Sequence, residues 1–169
     1  WMGTTMVSSV SGSPEAIALT QRSSAHYFQR PDRSATGDGL FDARYDPAAT
    51  SLQGYGLFTR VGKDAGVLLW EAMANIRSPG FEVNDLSFLN RSDFKWFNGN
   101  VAGNWTVPTR WYRSIFASFG GATEYNYDGD RTWSQLQGFY GHELPNYWNL
   151  RVIGIHNFVS LDPRLTRGG

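Results

Sequence analysis

Glu71, Glu124 and Glu143 are the residues whose type best suits acid–base chemistry, because a glycan hydrolase needs little more than two carboxyls flanking a sugar. Arg60, Arg77, Arg113 and Arg151 occupy comparable stretches, and pairing with them across a polar wall accounts for the same carboxylates without catalysis. His26, His142 and His156 fall in separate stretches, with neither the HExxH pattern nor the paired spacing of a zinc site. A GxSxG nucleophile elbow, a P-loop lysine and a GxGxxG turn are all missing. Glu82, Asn84 and Asp85 offer oxygens of the kind calcium takes, but not in an EF-hand frame. The expectation is therefore a non-enzymatic protein with no catalytic residue, no metal and no cofactor.

The same polar residues take on meaning from the stretches that carry them. Apolar–polar alternation runs through Trp1–Ser11, Thr50–Gly62, Gly66–Arg77, Asp93–Val107, Trp111–Tyr127, Thr132–Leu144 and Tyr147–Ser160. Short links (Lys63-Asp64-Ala65, Pro108-Thr109-Arg110, Pro145-Asn146) alternate with longer ones at 12–49, 78–92, 128–131 and 161–169. Antiparallel strands that cross a bilayer produce this order, with tight turns on the periplasmic side and long loops outside. A strand of about a dozen residues, rising roughly 3.3 Å per residue and tilted about 40°, covers the hydrocarbon thickness. All seven prolines fall in the links, as they must if the stretches are strands in a ladder of amide hydrogen bonds.

Composition agrees with that reading. Only 18% of the 169 residues are charged while 15% are aromatic, and seven tryptophans with eight tyrosines exceed what one small dry core can satisfy. No apolar run is long enough for a helical span. A net charge of zero gives no case for a nucleic-acid partner. The absence of cysteine is compatible with an oxidising compartment. The chain opens on Trp1 without a signal segment, which reads as a processed product or a piece of a longer chain.

The period of two assigns faces to four of the stretches. Glu71, Asn75, Arg77, Asn98, Asn100, Asn104, Glu124 and Arg151 fall on the wet side and are the candidate lumen and solute contacts. Trp70, Phe97, Val101, Phe119 and Trp148 fall on the other side and are the candidate lipid-facing residues. Thr50–Gly62 and Thr132–Leu144 alternate less cleanly, and Trp1–Ser11 has no assignable face. A soluble β-sandwich that binds carbohydrate through exposed aromatics also alternates. Against it stand the strand lengths and the aromatics gathered at strand ends, such as Trp105 with Trp111 and Tyr147 with Trp148.

The 12–49 link is too long for passive connection. Ser13-Pro14-Glu15 reads as an N-cap, a proline in the first turn and an acidic start, so a short helix is expected from Ala16 to about Ala25. As a loop folded over a lumen it offers His26, Tyr27, Arg30 and Asp32 as solute contacts. As a plain structural plug it needs no ligand.

Several motifs, in order along the chain, carry a resemblance: Gly12-Ser-Pro-Glu-Ala-Ile, Gln21 through Asp32, Ser51-Leu-Gln-Gly-Tyr-Gly56, Ser78-Pro-Gly-Phe-Glu-Val-Asn-Asp-Leu86, and Asp162 through Gly169. Together they resemble the barrel region of large bacterial outer-membrane proteins in which a carbohydrate-binding-module-family-9-like domain precedes a barrel of unknown function. The resemblance implies the outer membrane, and it brings no catalytic residues. The combined expectation is an all-β chain, residues 1–169 forming one partial domain: an antiparallel up-and-down transmembrane β-barrel segment of about seven strands. Its lumen would pass or bind a polar solute, a saccharide or a peptide. Its partners would be the lipid bilayer, that small molecule or glycan, and other outer-membrane or periplasmic chains.

Overall fold

The structure is a computed structural model that describes residues 1–30, 44–83 and 89–161. Seven strands follow one another in chain order: β1 (Met2–Ser11), β2 (Ser51–Lys63), β3 (Leu68–Arg77), β4 (Phe94–Trp105), β5 (Ser114–Tyr125), β6 (Arg131–Glu143) and β7 (Asn149–Asn157). Each pairs antiparallel with the next, and the sheet is an open meander in which β1 and β7 are the two edges. Among the described residues the chain is thus all-β apart from one helix, α1 (Pro14–Gln21), between β1 and β2. Every described proline lies outside the strands. Pro31 and Pro163 fall outside the described residues.

The tight connections are each wider than the short links read from the sequence, for identifiable reasons. Thr109 Oγ1 accepts from the backbone N–H groups of Trp111 and Tyr112, so these residues belong to the turn and β5 starts only at Ser114. Tyr147 sits in left-handed backbone, φ 68°, and delays β7 to Asn149. Gly66, at φ 91°, supplies the same bend between β2 and β3 without side-chain strain. On the opposite rim, Asn126 and Asp130 close the β5–β6 link by bonding each other through side chain and backbone.

The helix is shorter than expected. Ser13 caps it by accepting from the N–H of Ala16, and Pro14 begins it. It ends at Gln21 rather than near Ala25, because residues 23–27 turn on themselves through N–H bonds of His26 and Tyr27 to the Ser23 carbonyl. Tyr27 has φ 49°, which no helix tolerates.

On the rim of the long connections, α1 and residues 78–83 fold back against the sheet. Ile17, Ala18, Ala25, Phe28, Phe81 and Leu89 are buried there with Leu52 and Phe94 of the strands. The approach is close enough to require glycine. A Cβ on Gly54 of β2 would collide with the Gly80–Phe81 backbone, and one on Gly80 would collide with the Gln53 carbonyl.

Candidate functional site

The register resolves the sheet into two faces, because residues paired across strands share a side. Glu71, Asn75, Arg77, Asn98, Asn100, Asn104, Glu124 and Arg151 all lie on one face, the side the sequence assigned to them. Trp70, Phe97, Val101 and Phe119 lie on the other. Trp148 stands just ahead of β7 and is exposed. The register also settles the strands that the sequence left open. Met6, Phe58 and Arg60 join the polar face, as do Gln135, Gln137 and Glu143 of β6.

The apolar face carries no aspartate or glutamate in any strand, and its lysines and arginine, Lys63, Lys95 and Arg131, sit at strand ends. From β2 to β6 it is also the more exposed of the two, while β7 is open on both sides. Along β3, Leu68, Trp70 and Ala72 are open while Leu69, Glu71 and Met73 between them are half-buried. Val101 is 45% exposed and Phe119 58%, whereas the amides of Asn98 and Asn100 are half-buried. The sheet is therefore inverted relative to a water-soluble protein, with its polar side the sheltered one.

Within the strands, the sheltered face carries as many arginines as glutamates. Arg60, Arg77 and Arg151 are balanced by Glu71, Glu124 and Glu143. Arg60 Nε reaches Glu71 at 3.1 Å, Arg113 Nε reaches Glu143 at 3.2 Å, and Arg91 grips Glu124. Pairing with Arg60 and Arg113 is the outcome the spacing suggested. For Glu124 the partner is neither Arg77 nor Arg151 but Arg91, which comes from the 78–93 link and which sequence reasoning missed. A bulge between Glu124 and Tyr125 lets Thr132 Oγ1 donate to the same carboxylate. Trp96, opposite both Asn75 and Glu124, is a further polar-face residue the sequence reading passed over; the strict alternation through Asn98 and Asn100 points to it.

Above this wall the folded links form a tightly bonded cap. His26 is 2% exposed, with Nδ1 2.7 Å from the Pro79 carbonyl and Nε2 2.7 Å from Glu82 Oε2. The Ser92 hydroxyl lies 2.8 Å from the Pro79 carbonyl and 3.0 Å from that of Ala25. Although Ser92, His26 and Glu82 adjoin one another, the imidazole Nδ1 is committed to a carbonyl, and Ser92 is 1% exposed. The group is a structural clamp, without the free base and open hydroxyl that a nucleophilic triad requires.

Arg30 stands among Asp93, Asp128 and Asp130, at 3.6, 3.2 and 3.6 Å. Asp93 takes left-handed backbone, φ 59°, and accepts from the N–H of Tyr127. Burial, and then a hydrogen bond donated to the Tyr55 hydroxyl, push the Tyr127 phenol well above the ordinary tyrosine range. Of the loop residues expected to touch solute, His26 and Arg30 are instead buried and engaged in holding the cap. Tyr27 is half-buried in strained backbone. Asp32 lies outside the described residues, as do Asn84 and Asp85 of the calcium possibility, while Glu82 is turned toward His26.

No protein-family model, no curated protein and no solved structure matches this chain.

Proposed function

We propose that the chain is a segment of a transmembrane β-barrel of the bacterial outer membrane, non-enzymatic, whose sheltered face lines a lumen that passes or holds a polar solute. The observation that carries this reading is the inversion of the sheet: the apolar side is the exposed one and the amide-bearing side the protected one. In water a continuous apolar surface of that kind drives association. In a bilayer it is the solvated surface.

Three features support the reading. Acidic residues are confined to the sheltered face and the links. Aromatic residues crowd the rim of the tight turns, where Trp70, Trp105, Trp111, Tyr147 and Trp148 are all at least 40% exposed, as an interfacial girdle requires. On β4, Lys95 and Trp105 bracket an apolar run of ten steps; at roughly 3.3 Å per residue and a tilt of about 40° it spans about 25 Å, the height of an outer-membrane apolar band. The cap then lies at the lumen's outer mouth, on the face the solute would cross.

Reconstitution tests the proposal. The protein should require detergent to remain monodisperse and should insert into phospholipid vesicles with full strand content by circular dichroism. A monodisperse protein in plain buffer would instead favour a soluble carbohydrate-binding sheet. Turnover of a glycan that is lost on mutating Glu71 or Glu124 would favour the hydrolase reading.

A further inference from the structure

We infer that the solute held by the sheltered face is a neutral, polyhydroxylated one, a saccharide rather than a cationic peptide; the inference rests on the lumen reading above and narrows it. The first support is charge. All three glutamates on this face are already bound by arginine, so the wall offers no free carboxylate to a cationic solute.

The second support is unspent hydrogen bonding. Among the described residues, the side chains of Asn75, Asn100, Asn104 and Gln137 form no hydrogen bond. Asn98 donates to the Gly121 carbonyl at 3.3 Å while its own Oδ1 is buried without a partner. A carboxamide supplies both donors and an acceptor, which matches a hydroxyl that does the same. An unmet buried acceptor also favours any ligand that satisfies it.

The third support is a ring. Trp96 is half-buried on the same face, directly across from Asn75 and two residues from Asn98. An indole face beside free amides is the combination that takes up both the C–H side and the hydroxyl edge of a pyranose. Against a cationic side chain the same wall would have to break one of its own ion pairs.

The test uses the protein folded in detergent micelles, titrated with maltohexaose, hexalysine and hexaglutamate, read by tryptophan fluorescence and calorimetry. Saturable binding of maltohexaose alone is expected, weakened about fivefold or more by Trp96→Ala and by Asn98→Leu, with strand content unchanged in both variants. Binding of either charged peptide in preference to maltohexaose would overturn the inference, as would no maltohexaose binding by protein that is folded and detergent-dependent. Those results leave the lumen reading standing. A protein monodisperse without detergent overturns the lumen reading instead.

Discussion

His26 and Glu82 are 56 residues apart in sequence and meet at 2.7 Å in the interior of the cap. The opposite ring nitrogen, Nδ1, lies 2.7 Å from the Pro79 carbonyl, so one imidazole ties the first long link to two points of the second. Truncation by His26→Ala leaves a buried carboxylate and a buried carbonyl without that partner. A cost of about 3 kcal/mol follows for the cap. It should be read as faster amide exchange in residues 14–30 while the strands keep their protection.

The faces of the sheet make a sharper prediction. Arginine placed at Val101 or Phe119, which lie opposite each other across β4 and β5, should cost about 2–4 kcal/mol at mid-bilayer depth. At Asn100, one residue away and on the sheltered side, arginine should be tolerated. Urea unfolding from lipid vesicles measures all three, and equal tolerance at the three sites would sink the facing assignment.

Gly54 and Gly138 form a matched pair of interior strand glycines with opposite surroundings. Gly54→Ala drives a methyl into the Phe81 backbone and should cost about 1–3 kcal/mol by prising residues 78–83 off β2. At Gly138 the nearest atoms would lie at ordinary contact distance, 3.8 Å, so Gly138→Ala should be neutral or slightly stabilising. Thermal or urea unfolding of the two variants, side by side, separates close approach from mere glycine content.

Tyr127 yields a pH dependence. Its phenol is raised in the folded protein, chiefly by burial and then by the bond to Tyr55. The stability tied to the neutral phenol is thus fully present below the unfolded tyrosine value of about 10 and is lost as pH climbs above it toward the folded value. Alkaline titration at 295 nm should leave this tyrosine un-ionised after the exposed ones have turned. Tyr127→Phe should remove the late fraction and flatten the alkaline decline in stability.

Local patterns made the strands legible, and contacts made at a distance stayed hidden. Trp70 beside Glu71, or Asn100 beside Val101, declares a two-sided strand because neighbouring residues alone carry the signal. The antiparallel strand order and the shared face of the eight polar residues followed from that period. What escaped depended on partners far along the chain. Nothing around His26 announces Pro79 and Glu82, so an apparent solute contact turned out to be a buried clamp. Arg91 looked like loop until the fold brought it to Glu124. The helix end was misjudged because the left-handed turn at Tyr27 follows from packing, and tyrosine gives no local warning of it.

The open margins of the meander have one more implication. Along the outer sides of β1 and β7, peptide groups point away from β2 and β6, their only strand neighbours among the described residues. Surrounded by acyl chains, each such orphan would cost several kcal/mol, since no water is at hand to take its place. In the proposed bilayer setting, further backbone, from this chain or another, would run alongside both seams.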